Sequence, residues 1–524
     1  YYLGTFINNM RNGIYLDYLL SFPITYEKEL KQKIISSFER GIKKSLPQSV
    51  INDSHCMDIF SVGQGVSEPI AYAITAFTEY GLKPTAGEEM LYGVFDFGGG
   101  TTDFNFGTYR RADVSIKKKY DYVITHQGSG GDKYLGGENL LELLAFEIFK
   151  ANYKRLLKRK DGLFDFNGAE FTLPPECDTF LGSETLISVS QKAKRNTKQL
   201  IEKLRPYWEN IDFEYTVRLP YDSSPHKLNN VKHKELDEKS LKIIDNIKKG
   251  FIRVDLFDNS GQLIPDFELD IYNEDLGIDI NLEEILEKRI EKGVRQFFNA
   301  LSHSFEHRKI IQTNGIEIFL AGNSGKSPIL KKLFDKYIRI FSRSESSIIE
   351  PHLFRIYPSL GTPEAAEIQE RNGIHSTPGE LSGPTGKTGV AYGLIKGRTG
   401  SRIKVVSEMN DDNDLKFNYY LGHCEDDIFI TDISENNKVG AWTEFTTADI
   451  SRIEIYYTDL PEAAGNRMPV NSMNKKIIRL KNTFDDASIY IRILTHSSIE
   501  YVVSRKGEIE RNIYLTEISR IDFS

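Results

Sequence analysis

The chain has 524 residues, a formal net charge of −8, and 40% hydrophobic and 27% charged residues. That length allows about two to four domains with a sizeable core, and the acidic balance argues against broad nucleic-acid binding. Cys56, Cys177 and Cys424 lie far apart without a CxxC pair or a disulfide framework, which fits a reducing cytoplasm, and no apolar run reaches the ~20 residues of a membrane span.

The chain opens on Tyr1, not methionine, so a missing signal peptide carries little weight. Residues 18–24, YLLSFPI, read as a strand, followed by a helix with Leu30, Ile34, Ile35, Phe38 and Ile42 on one stripe. Residues 58–62, DIFSV, read as a second strand, and Glu68-Pro69 opens a helix carrying Ile70, Ile74 and Phe77. Next comes Val94-Phe95-Asp96-Phe97-Gly98-Gly99-Gly100-Thr101-Thr102-Asp103-Phe104, a β-hairpin with a glycine turn. Glycines let backbone N–H groups approach an anion closely, and Asp96 at the strand end suits a Mg²⁺ ion or its water. Strand-helix-strand order to this point predicts an α/β core.

Helical patterns dominate from about 137 to 205, around a loop-like FNGAEFTLPPECDTF, and weak strand signals follow at 211–219 and 251–256. The basic runs Lys117-Lys118-Lys119 and 154–160 read as solvated faces. Residues 282–305 form a long amphipathic helix with Leu286, Ile290, Val294, Phe298, Leu301 and Phe305 inward. A strand from Ile316 to Leu320 leads into a helix with Ser327 as N-cap and Pro328 at its first position. Residues 357–389 read as a long loop, and GVAYGLI as a short closing helix. From about 402 short alternating strands predict an all-β module, with Ile489, Ile491 and Ile493 on one face, a turn at Arg505-Lys506-Gly507 and a strand near 511–516.

Three strings imitate other chemistry. Gly325-Lys326-Ser327 and Gly386-Lys387-Thr388 resemble the end of a phosphate-binding P-loop, but the glycine needed five residues earlier is Leu320 or Leu381. His303, Glu306 and His307 fit an inverted zinc-protease string without a third ligand, and read as a solvated helix face.

Six short motifs recur in fixed order: Glu68-Pro69; Asp96 to Asp103; Leu135-Gly136-Gly137-Glu138-Asn139; Gln191-Lys192-Ala193-Lys194-Arg195; Gly322 to Pro328; and Val390-Ala391-Tyr392-Gly393. Together they resemble the nucleotide-binding domain of DnaK-type heat-shock chaperones, in the actin/sugar-kinase/chaperone ATPase superfamily, over residues 1 to about 397. The resemblance implies a two-lobed actin-like ATPase core over 1–400, with a helical and mixed insert at 137–280, ahead of a β-rich module at 402–524. It implies ATP or ADP with Mg²⁺ as cofactors. Asp96 matches the aspartate near the metal, and Asp103 a second acidic residue near the metal and attacking water. Glu68 matches the glutamate that orients that water, and Pro69 a proline that signals to the partner domain. Gly98, Gly99, Gly100 and Thr101 match the phosphate loop, and Gly136, Gly137 and Glu138 the turn near the ribose. Lys194 and Arg195 match the basic pair beside the adenosine. Gly322, Asn323, Ser324 and Lys326 match the adenosine loop, with Arg195 and Lys326 on either side of the adenine.

The chain also departs from that pattern. The family's first phosphate loop and catalytic lysine would precede Tyr1, Lys387 stands where the family has aspartate, and Arg402-Ile403-Lys404-Val405-Val406 replaces the leucine-rich linker. The expected function is an ATP-binding, DnaK-like switch that hydrolyses ATP to regulate a protein partner or unfolded client. A filament-forming actin-like ATPase and a non-hydrolysing nucleotide-binding scaffold stand as alternatives.

Overall fold

The computed structural model describes residues 1–524 except 11–12, 24–25, 27, 161–164, 211–214, 218–225, 229–236, 306, 344–348, 375–382, 399, 408–416, 418, 435–436, 459, 461–462, 464–465, 467, 496–497 and 524. The elements that position the site are β1 (Asp17–Leu20), β2 (Ser61–Gln64), α1 (Glu68–Glu79), β3 (Glu89–Phe97), β4 (Thr102–Arg111), β5 (Tyr122–Asp132), α2 (Gly137–Ala151) and α3 (Gln191–Glu209). They continue with α4 (Leu282–Ser304), β6 (Ile316–Ala321), β7 (Phe354–Tyr357), α5 (Gly389–Lys396) and β8 (Ile403–Ser407).

The core is a six-stranded mixed sheet in the order β7-β6-β3-β4-β5-β8. Strands β3, β4 and β5 run as an antiparallel meander, while β6 and β7 add in parallel beside β3. Alternation along β3 and β4 sends side chains to two different apolar layers. Leu91, Phe95, Phe104 and Phe106 join one layer, with Leu140 and Leu144 of α2 and Val294 and Phe297 of α4. Tyr92, Val94 and Tyr109 join the other, with Ala73, Ile74 and Phe77 of α1. Phe297 meets the Phe95 and Phe104 rings edge-on at 5.6 Å, while Phe77 stacks on Tyr109 at 4.0 Å. Such ring pairs add about 0.5–1.5 kcal/mol each beyond area burial. Gly93 faces the first layer, where a Cβ would press to 3.2 Å on both the Phe106 and Phe297 rings.

The insert after β5 belongs to the first of these layers: α2, α3 and the hairpin Phe251–Phe257/Leu263–Asp270 share one apolar cluster. Asn196 of α3 locks them, donating to the Glu170 and Phe257 carbonyls and accepting from the Phe257 N–H. A two-stranded parallel sheet, β1 with β2, lies apart from the core sheet and packs on the helix Lys28–Lys43, with Tyr18 edge-on to Phe38 at 5.7 Å.

The C-terminal region is wholly antiparallel. Its strands are β9 (Tyr420–Glu425), β10 (Ile428–Ile433), β11 (Thr443–Ala448), β12 (Arg452–Thr458), β13 (Asn474–Arg479), β14 (Phe484–Thr495), β15 (Ser498–Ser504) and β16 (Ser519–Asp522). They form two four-stranded sheets, β10-β9-β12-β13 and β11-β14-β15-β16. Leu421, Ile453 and Ile455 of one share a core with Ile489, Ile491 and Ile493 of the other, the face expected from alternation.

Four expected elements differ. DIFSV holds the end of a helical turn, Ser54–Asp58, because Asp53 caps the His55 and Cys56 N–H groups, and the strand starts later, at Ser61. The expected loop at 357–389 contains the helix Pro363–Arg371, whose Thr362 hydroxyl accepts from the Ala365 N–H ahead of Pro363. Residues Ile509–Arg511 form a 3₁₀ turn after Gly507, and the last strand comes at Ser519 instead of 511. Strand β8, expected in the tail module, pairs in parallel with β5, Ile403 opposite Tyr122, and so extends the core sheet. Among the described residues no helix is long and apolar enough to cross a membrane.

Candidate functional site

Where β3 and β6 end side by side, their following turns face an open cleft of about 490 Å³. The cleft is lined by Glu68 at the start of α1, Asp96, Gly98 and Gly99 of the β3–β4 hairpin, Gly137 and Glu138 at the start of α2, and Gly322, Asn323 and Ser324 after β6. Two lengths of chain separated by the whole insert therefore meet through sheet pairing, with Ala321 opposite Asp96.

The turns are stitched together by their backbones. The Gly98 carbonyl accepts from the Gly137 N–H at 3.1 Å and from the Ser324 hydroxyl at 3.1 Å, and the Gly99 carbonyl accepts from the Glu138 N–H at 2.7 Å. The Thr102 hydroxyl donates to the Leu135 carbonyl. A Cβ on Gly136 would sit 2.4 Å from the Gly99 carbonyl oxygen, so only glycine lets α2 approach the hairpin this closely. Gly322 adopts φ +74, and a Cβ there would meet the Phe97 carbonyl oxygen at 2.1 Å. The hairpin glycines act differently: none has positive φ, a Cβ on Gly100 would meet nothing, and one on Gly99 only Glu138 Cγ at 3.9 Å. The missing side chains of Gly98 and Gly99 leave room at the cleft instead of relieving backbone strain, while Gly100 stands outside its lining. The Gly98 N–H is spent on the Thr101 carbonyl, whereas among the described residues no acceptor pairs with the Gly99 or Gly100 N–H. Those two donors suit an anion.

The floor of the cleft is acidic. Asp96 and Asp103 are direct cross-strand partners, an arrangement that costs stability when both are charged. Burial, followed by the charges of Asp103 and Glu68, pushes the Asp96 carboxyl well above the usual carboxylate range. Burial and the charge of Asp103 push Glu68 up to about 7. Asp103 is 3% exposed and accepts a hydrogen bond from the Thr101 hydroxyl at 3.1 Å. Carboxylate oxygens crowded in this way are the donor type that a hard cation such as Mg²⁺ takes. Among the described residues, however, no group of three or more His, Cys, Asp or Glu is placed so that it could hold a metal ion. The candidate zinc string has His303 bonded to the Asn299 carbonyl, and its Glu306 lies outside the described residues.

The opposite wall is set by α3, but not by the residues expected there. Lys194 and Arg195 are exposed and outside the cleft lining, and the Arg195 guanidinium lies 5.6 Å over the Phe257 ring. Lys326 is also exposed and outside the lining. The reason is helix length. α3 begins at the Phe257 hairpin and reaches the cleft only at its far end, where Arg205, Trp208 and Glu209 line it. Arg205 grips Glu138 with two hydrogen bonds of 2.6 and 2.9 Å and also bonds Glu202, and its hydrogen bond holds the Glu138 carboxyl below the usual range. Residues missed from the sequence are thus Arg205, Trp208 and Lys387. A signal for Trp208 existed: it stands four residues after Leu204 on the same face of α3, and Leu204 is buried.

No protein-family model matches the chain, and the search of curated proteins finds no match.

Proposed function

We propose that the chain is an ATP-dependent, DnaK-like molecular switch, in which a two-lobed actin-like core binds ATP or ADP with Mg²⁺ and ATP hydrolysis regulates a protein partner or client. The observation that carries this reading is the convergence of three glycine turns, at Gly98–Gly99, Gly136–Gly137 and Gly322, on one cleft with Glu68 and Asp96 at its floor. A meander of three strands flanked on one side by two parallel crossover strands supports an actin-like half.

On this reading the Gly99 and Gly100 N–H groups face the phosphates, Asp96 with Asp103 holds the Mg²⁺ side, and Glu68 orients and deprotonates the attacking water. Bound Mg²⁺ supplies charge neutralisation at the transferring phosphate. Trp208 and the Arg205–Glu138 pair stand at the nucleoside end. The antiparallel C-terminal module is the output: Lys292 of α4 lies 5.4 Å over the ring of its Tyr419, and α4 also packs Gly293 against Leu135, next to the Gly136 turn.

Thermal unfolding with millimolar Mg·ATP and Mg·ADP, combined with phosphate release, tests the proposal. A ligand that binds only the folded state raises Tm by mass action. Stabilisation with turnover supports the switch, stabilisation without turnover supports the non-hydrolysing scaffold, and absence of both removes the reading.

A further inference from the structure

The cleft carries Glu68, Asp96, Glu138 and Glu209 against two cations, Arg205 and Lys387, among its described lining residues. Arg205 already donates to both Glu138 and Glu202. The Lys387 ammonium holds no hydrogen bond or ion pair among the described residues; its charge is felt by Glu138, whose N–H is bonded to the Gly99 carbonyl. A polyanion entering this acidic cleft needs cationic contacts.

The turn that carries Lys387 is held firmly. The Gly386 N–H donates to the Leu360 carbonyl at 2.8 Å, and the Thr385 and Thr388 side chains bond within the turn. The Thr75 hydroxyl of α1 donates to the Gly389 carbonyl at 2.7 Å. The Tyr72 hydroxyl donates to the Leu320 carbonyl and accepts from the Leu360 N–H. Lys387 is thereby tied to the helix that begins with Glu68 and to β6, which leads into Gly322. A Cβ on Gly386 would lie 3.0 Å from the Gly322 carbonyl oxygen, so the turn abuts the one that touches Asp96 and Phe97.

We propose that the Lys387 ammonium is a phosphate-binding cation of the cleft, contacting phosphate oxygens of a bound nucleoside polyphosphate. This rests on the reading of the cleft as a nucleotide site. The test is calorimetric titration of the full chain, as wild type, Lys387→Ala and Lys387→Arg, with Mg·ATP and separately with adenosine. Loss of one charge-assisted contact is expected to weaken Mg·ATP about 10- to 100-fold in Lys387→Ala while adenosine changes by less than about twofold, and Lys387→Arg keeps most of the ATP affinity. Wild-type ATP binding with an unchanged Lys387→Ala, or an equal loss for ATP and adenosine, overturns the role of Lys387 and leaves the nucleotide site standing. No ATP binding by the wild type overturns both.

Discussion

Replacing Glu68 by glutamine changes charge while nearly preserving shape, and its effect on stability has a definite sign. The carboxyl sits partly buried at the start of α1, with burial and Asp103 raising it to about 7 from an ordinary 4.5. Between those values the folded protein holds a proton that the unfolded chain has released. The stability that this group contributes is full below about pH 4.5 and is lost as pH rises through 7. Undiscounted, a rise from 4.5 to about 7 corresponds to roughly 3–4 kcal/mol. Solvent at the cleft mouth and coupling to Asp96 reduce it to about 1–2 kcal/mol. Glu68→Gln never carries the charge, so at about pH 8 it is more stable than wild type by that amount, and at about pH 5 the difference shrinks toward zero. For a core spanning Asp17 to Ser407, with unfolding entropy of about 0.8 kcal/mol/K, the gain at pH 8 is about 1–3 °C in Tm. Scanning calorimetry across pH measures it. ATP turnover by the same variant falls by about 10²-fold, while nucleotide affinity changes little. A Tm gain that is absent at pH 8, or is the same at pH 5, refutes a charged, crowded Glu68.

Gly322→Ala forces a methyl group onto the Phe97 carbonyl at a φ of +74, so a Tm fall of several degrees is expected; an unchanged Tm contradicts the close approach of the two turns. Arg205→Ala frees Glu138 and is expected to weaken Mg·ATP by about 3- to 30-fold, whereas Arg195→Ala leaves affinity within about twofold; calorimetry showing the reverse order restores the start of α3 as the nucleoside wall. Saturating Mg·ATP is expected to change the rate at which limited proteolysis separates the C-terminal module, and identical digestion of an ATP-bound protein marks the module as a passive appendage.

What the sequence revealed and what it hid follow from the range of the forces involved. The glycine hairpin, the Glu68-Pro69 helix start and the strand into Gly322 were legible because each is fixed by residues within a few positions, through turn chemistry, capping or alternation. Their meeting on one cleft was expected only from motif order; the contact itself depends on β3–β6 pairing across the insert, which no local pattern encodes. That Lys194 and Arg195 stand outside the cleft lining was not legible, because a basic pair on an amphipathic helix does not report which end of that helix meets the cleft. Strand β8 was placed with the tail because alternation marks it as a strand without naming its partner, and β5 offered an open edge. The helix Pro363–Arg371 was hidden by its surroundings, although Thr362-Pro363-Glu364 is a good helix start.

The most direct test of the account is a crystal structure of the full chain grown with Mg·ADP. The phosphates are expected beside the Gly99 and Gly100 N–H groups, with the metal on the Asp96 side and the nucleoside between the Glu138–Arg205 pair and the Asn323 turn. A nucleotide bound elsewhere, or a cleft empty at saturating Mg·ADP, would contradict it.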